Sequence, residues 1–259
     1  MANSHTVFKE SNSDFYDLEY FLSLEYRYLS GAHGSKVRNI FSLIGKTIGD
    51  HSKKRVLDVG CANGFYAGEF SKLGANVTGI DYSQHAITFA KDRHPGIDFR
   101  IMSGYSLKDF PDNEFDIVTL FDVIEHMSDQ VHVLNEIKRI LKPSGFLIVS
   151  TDADESIWLR PLIQSIVRRT EYFSKEGRAY RLIKRVESRR KQYRNYHSSH
   201  INELSSTELH NLLKKSGFSI MARRVYPLVG VPIRDFFLRF LPESYRGDHQ
   251  CVIAQRIND

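Results

Sequence analysis

The chain has 259 residues, 41% of them hydrophobic and 26% charged, a balance that excludes global disorder. No apolar run approaches the roughly 18 residues of a membrane-spanning helix, and two cysteines, Cys61 and Cys251, exclude a disulfide framework or a four-thiolate zinc site. The net charge of +5 is uneven: residues 160–194 hold twelve Lys/Arg against three Asp/Glu, which leaves the remainder acidic.

The opening MANSHTVFKE lacks the basic-then-apolar layout of a signal peptide, so a reducing cytoplasmic location is expected. Apolar residues at helical spacing then predict two N-terminal helices, one around Phe15, Leu18 and Tyr20–Leu22, the other through Val37, Ile40, Phe41 and Ile44. From position 55 short apolar runs alternate with amphipathic stretches. Strands are predicted at 55–60, 76–81, 97–102, 115–121 and 145–151, with helices near 64–73, 83–93 and 129–141. Pro143 and Gly145 mark the stop of the last helix. Residues 205–218 read as a capped helix, with Ser205 or Ser206 as cap, Glu208 in the first turn and Gly217 at the end. Strands at 219–226 and 249–257 close the pattern.

Strand–helix alternation with continuous apolar strands predicts a doubly wound α/β fold, a mostly parallel sheet covered on both faces. Four segments are expected: an N-terminal helical lid (1–50), a nucleoside-binding core (51–152), a basic helical insertion (153–204) and a C-terminal part of the core sheet (205–259).

In such a sheet the ligand sits at the carboxyl ends of the strands, where strand order reverses. The first strand runs into DVGCANG (58–64), where Gly60 and Gly64 permit a tight turn, and Asp81 closes the second strand, placed to accept both hydroxyls of a ribose. A dinucleotide would want G-x-G-x-x-G. Here the spacing is G-x-A-x-G followed by bulky Phe65 and Tyr66, and Asp58 would repel a pyrophosphate while suiting the ammonium of an amino-acid moiety. The ligand expected is a nucleoside without phosphates.

VLDVGCANGFYAGEFSKLGANVTGIDYSQHAITFAK, with FDIVTLFDVIEHMSD and LKPSGFLIVST, resembles the class I S-adenosylmethionine-dependent methyltransferases, a Rossmann-like seven-stranded fold. Within them it is similar to the ubiquinone-biosynthesis O-methyltransferases and their relatives. The resemblance covers roughly residues 35–152 and, less closely, 200–218. It implies S-adenosylmethionine as cofactor. Gly60, Cys61 and Gly64 would line its methionine half, Asp81 would hold the ribose with Tyr82 against the adenine, and Phe121 and Asp122 would face the sulfonium. The acid common after the third strand is absent around Gly104–Tyr105, so adenine contact there falls to backbone and Tyr105. Tyr82 could equally be a solvent-facing residue at a helix start, and Cys61 a small buried filler.

Asp122, Glu125, His126 and Asp129 crowd into eight residues at a strand end. Three readings stay open. Asp122, Glu125 and His126 could hold a divalent metal such as Mg or Zn, as a Glu-x-x-Glu-His run does in the related enzymes; His126 could act as a metal-free base, oriented by Glu125; or Glu125 and His126 could brace the next helix. His200, or His197, could supply a further group near the transferred methyl, or cap the helix that follows. From the N-terminal helices, Tyr16 or His33 could close over the methionine end.

The basic segment 160–194 interleaves arginines with Tyr172, Phe173, Tyr180 and Tyr193, and 226–242 adds an apolar stretch with Phe236, Phe237, Leu238 and Phe240. Together they suit peripheral contact with an anionic membrane at its inner face, and so a lipid-linked acceptor; the bland alternative is a solvated cover over the site. Nucleic acid ranks lower, because no recognised binding motif accompanies the charge. The function expected is O-methylation of a small-molecule or lipid-linked acceptor, a phenol or a glycan hydroxyl. Its rivals are a non-catalytic cofactor-binding module and a nicotinamide-dependent oxidoreductase.

Overall fold

The computed structural model of the chain describes residues 34–152, 202, 204–226 and 249–258. The expected lid segment before residue 34, the basic insertion and the apolar stretch 227–248 lie outside them.

The described elements are α1 (Gly34–Thr47), β1 (Arg55–Val59), α2 (Phe65–Lys72), β2 (Asn76–Asp81), α3 (Gln84–Arg93), β3 (Asp98–Ile101), β4 (Phe115–Phe121), a 3-10 turn (Ile124–His126), α4 (Gln130–Ile140), β5 (Leu141–Asp152), α5 (Ser206–Lys215), β6 (Phe218–Tyr226) and β7 (His249–Arg256). The strands form one seven-stranded sheet in the order β3-β2-β1-β4-β5-β7-β6. β1 to β5 pair in parallel, and β7 runs antiparallel to both its neighbours.

The chemistry of each strand follows from its place. β4 is buried along nearly its whole length, as a central parallel strand must be, whereas the edge strand β3 leaves Ile101 exposed. One face of the sheet is covered by α4 and α5 through Val133, Leu134, Ile137, Ile140, Leu209 and Leu213. The other is covered by α1, α2 and α3 through Ile40, Ile44, Tyr66, Phe70, Ile87 and Ala90. The sheet is therefore doubly wound, as its alternation predicts.

Local signals set the helix ends. Ser205 and Glu208 form a reciprocal capping box at α5, and Gly217 takes φ +84° just past its end. Ser83 caps α3 and Asp129 caps α4 by accepting the Ala86 and His132 amides. β5 begins at Leu141, before the Pro143–Gly145 signal, because a β4 pairing at Phe115↔Leu141 extends the strand past an irregularity. Among the described residues no helix is long and apolar enough to cross a membrane.

The order reverses between β1 and β4: from β1 the chain builds outward to β2 and β3, then returns across β1 to β4 and β5. The carboxyl ends of β1 and β4 therefore flank the crevice of the fold.

Candidate active site

The turn after β1 is built from three left-handed residues, Gly60 (φ +72°), Ala62 (φ +48°) and Gly64 (φ +74°). At Gly60 and Gly64 crowding adds to the conformational demand. A Cβ on Gly60 would stand 2.5 Å from Val123 Cγ2, and one on Gly64 would stand 2.8 Å from Phe99 Cζ. Ala62 tolerates the same backbone region with its small side chain. The Gly60 and Cys61 amides both donate to the Ile80 carbonyl, at 2.8 and 2.9 Å, which fastens the turn to β2.

Asp81 makes the second fastening. Its Oδ2 accepts the Ala62 amide at 3.0 Å and its Oδ1 accepts the Ser83 amide at 2.9 Å. Each carboxylate oxygen has two lone pairs, so a ribose hydroxyl on either needs no amide to leave. Tyr82, half-buried, lies between Asp81 and the α3 cap.

Asp58 lies beneath the turn, 1% exposed. Its Oδ1 accepts the Thr119 hydroxyl at 2.6 Å, whereas Oδ2 is buried without a hydrogen-bond partner among the described residues. Burial pushes its carboxyl up to about 7, against the opposing pull of Thr119. A buried acid with one unsatisfied oxygen beside a glycine turn fits a cationic group brought by a ligand. Cys61 is 5% exposed, and burial together with Asp58 and Asp81 drives its thiol well above its ordinary value, so it fills space and carries no thiolate.

Past β4, Asp122 adopts φ +57°, and its amide donates to the Ser150 carbonyl at 2.8 Å. Its carboxylate is paired with the Lys36 ammonium from the first turn of α1. Glu125, in the 3-10 turn, is 2% exposed with Oε2 unpartnered among the described residues. Burial first, then repulsion from Asp122, pushes its carboxyl up to about 8, so it keeps its proton at neutral pH. His126 ends the same turn, half-buried. Asn202 braces this turn: its amide donates to the Glu125 carbonyl at 3.0 Å and its side chain to the Met127 carbonyl at 2.7 Å.

These placements bear on the expected metal. Asp122 is paired with a lysine, and no group of three or more His, Cys, Asp or Glu able to hold a metal ion forms among the described residues. Of the expected metal set, Asp122 and Glu125 stand within one turn of His126, with Asp122 paired to Lys36. His197, His200, Tyr16 and His33 lie outside the described residues.

Phe121 stacks on Tyr66 with ring centroids 4.1 Å apart, closing the floor between β4 and α2. Tyr105 is 8% exposed, and its hydroxyl accepts the Ser128 amide at 2.6 Å, a bond that ties the loop after β3 to the loop before α4. The part Tyr105 can offer an adenine is thus its backbone and the exposed margin of its ring.

Four contributors escape a reading of motifs: Lys36, Thr119, Val123 and the His249–Asp152 pair, whose Nε2 and Oδ1 are 2.8 Å apart where the carboxyl end of β5 meets the start of β7. Only Lys36 carried a signal. It shares a helical face with Ile40 and Ile44, both 0% exposed, and a lysine on an apolar stripe needs a buried partner.

Comparison with known proteins agrees with this geometry. Residues 57–149 match the family described as methyltransferase domain. A ubiquinone biosynthesis O-methyltransferase of Dechloromonas aromatica (strain RCB) is 37% identical over 102 residues, 38% of this chain and 44% of that protein. One from Hydrogenovibrio crunogenus (strain DSM 25203 / XCL-2) is 31% identical over 102 residues, 38% of this chain and 42% of its own length. The matched stretch thus spans less than half of these relatives. A solved S-adenosylmethionine-dependent methyltransferase from Mesorhizobium loti superposes with a TM-score of 0.54 at 17% identity, covering 80% of this chain and 93% of that one, a likeness of fold.

Proposed function

We propose that this chain, whose residues 57–149 match a methyltransferase domain, is a class I S-adenosylmethionine-dependent methyltransferase that methylates an oxygen of a small-molecule or lipid-linked acceptor. The observation that carries the reading is the glycine turn at the β1/β4 switch point, with Asp58 beneath it holding an unsatisfied oxygen and Asp81 beside it.

S-adenosylmethionine supplies an electrophilic methyl on a sulfonium. The chain's own residues supply the rest. Asp58 takes the amino-acid ammonium, Asp81 the ribose, and Gly60, Cys61 and Gly64 give the backbone a close approach. Tyr82 and Tyr105 border the adenine, and Phe121 and Asp122 the reacting end. Transfer from a sulfonium is an in-line displacement, so positioning contributes most of the acceleration. An oxygen acceptor must also lose a proton, and His126 is the group suited to accept it at neutral pH. Glu125 holds its own proton there and steadies the turn. His200 is the second histidine expected near the transferred methyl, a reading that rests on the sequence.

The oxygen acceptor rests on the names of the relatives. Contact of 160–194 and 226–242 with an anionic membrane, which would suit a lipid-linked acceptor, rests on charge and sequence alone. A dinucleotide is disfavoured by Phe65 and Tyr66, which follow the turn where a third glycine would be wanted.

The test is incubation of the purified chain with S-[methyl-³H]adenosylmethionine and cell extract, with and without EDTA, followed by organic extraction. Label in the organic phase, insensitive to EDTA, is expected. Binding of the cofactor without transfer to any fraction would overturn catalysis in favour of a binding module.

A further inference from the structure

Asp58, Asp81 and Asp122, at the carboxyl ends of β1, β2 and β4, differ in what they show a ligand. Asp58 is 1% exposed beneath the turn, and Asp81 is 9% exposed with an amide on each oxygen. The Asp122 side chain is 29% exposed and stands on the first residue past β4, next to Val123, which fills the space over Gly60. Asp122 is thus the most accessible of these three. It is also the one paired with a lysine, whose side chain is 2% exposed.

We propose that Lys36 is a positioning residue: by pairing with Asp122 it cancels the negative charge that the cofactor's sulfonium would otherwise meet, and so sets the preference for S-adenosylmethionine over S-adenosylhomocysteine. The inference rests on the methyltransferase reading above. The two ligands differ by one methyl and one positive charge, so a charge near the sulfur discriminates between them. A lone carboxylate there would hold the charged donor more tightly and stabilise a charge that vanishes on transfer, which slows the reaction. Lys36 removes that bias without removing the carboxylate.

The geometry favours a role for the pair beyond joining α1 to the sheet. The left-handed backbone of Asp122 turns its carboxylate back toward Lys36 and the Ser150 hydroxyl, 3.5 Å from Oδ1, and the apolar Ile40 and Ile44 already anchor the helix. Other charges near the pair are Glu125, which keeps its proton, Asp152, which like Asp122 acts on Glu125 and is paired with His249, and Arg224, which like Lys36 acts on the buried Cys251 thiol behind it.

The experiment is calorimetric titration of the full chain with S-adenosylmethionine and with S-adenosylhomocysteine, read as the ratio of the two dissociation constants. Lys36→Met leaves a net negative charge and is expected to shift the ratio toward S-adenosylmethionine by about tenfold, the effect of one partly screened charge several ångströms away. Asp122→Asn leaves a net positive charge and shifts it the opposite way. The double variant returns to the wild-type ratio, and Lys36→Arg keeps it. Damage to the fold alone cannot produce opposite signs that cancel. If Lys36→Met does not fold, Asp122→Asn and Lys36→Arg still decide between a shifted and a retained ratio. Shifts of one sign, or a flat ratio with both ligands bound, overturn the proposal. Failure of the wild-type chain to bind either ligand overturns the methyltransferase reading beneath it.

Discussion

Asp58 and Thr119 face each other in register across the parallel β1–β4 pair, and the Thr119 hydroxyl donates to Asp58 Oδ1 at 2.6 Å. This bond is the counterweight to a burial that carries the Asp58 carboxyl up to about 7. A group poised there titrates within the working range of pH, and its charged form is the one that suits a ligand ammonium. Affinity for S-adenosylmethionine should therefore be flat above about pH 7 and fall below it, by up to about tenfold per unit. Thr119→Val should move that fall to higher pH. Titration calorimetry between about pH 5.5 and 8.5 measures both; a pH-independent affinity would separate Asp58 from the ligand.

Val123 occupies the volume that a side chain at Gly60 would need, at a residue whose φ is +72°. Gly60→Ala combines left-handed strain with a 2.5 Å contact and should cost about 2–4 kcal/mol of stability. Cofactor binding should be lost with it, because the turn can relax only by moving toward the ligand or by displacing Val123. Chemical denaturation together with calorimetry tests this.

The two amides on Asp81 give a further expectation. Asp81→Ala strips an acceptor from both Ala62 and Ser83 in a largely buried setting, at about 1–3 kcal/mol for each group left unsatisfied. Both stability and cofactor affinity should fall. Asp81→Asn keeps one acceptor and turns an amide donor toward a backbone donor, so it should restore only part of the loss. Thermal unfolding with and without S-adenosylhomocysteine distinguishes the two contributions.

Glu125 makes stability depend on pH in a defined direction. Its carboxyl titrates near 4.5 when the chain is unfolded and at about 8 in the fold, so between these values the native state holds a proton that the unfolded state has released. The stability it contributes is fully present below about pH 4.5 and is lost as pH rises to about 8, by up to about 1.4 kcal/mol per unit. Glu125→Gln, which cannot ionise, should flatten that slope over its upper part, while Asp58 continues to act below about 7. Urea denaturation at pH 6, 7 and 8, as about three sampling points, shows whether the two chains converge or diverge.

The alternation of apolar runs with amphipathic stretches located the described strands and helices, and the capping box at Ser205 and Glu208 appeared as expected. These features are local: a strand's burial or a helix's first turn is written in a few adjacent residues. The glycine turn and Asp81 were legible for the same reason, since their signal is short and tied to strand ends. The acid–histidine run was legible as a cluster, but its chemistry was not. Metal set, base and brace share the same spacing.

What divided those readings is long-range. Lys36 reaches Asp122 across 86 positions, and Thr119 reaches Asp58 across 61. The proton affinity of Glu125 depends on its burial and on Asp122, Thr151 and Asp152, gathered by the pairing of β4 with β5. The order of residues was enough to set the described elements and the glycine turn after β1, because backbone preference and apolar periodicity act between near neighbours. Tertiary structure alone decided which carboxylates keep a proton, which are paired and which face the crevice, because desolvation and Coulomb forces depend on what the fold brings within a few ångströms.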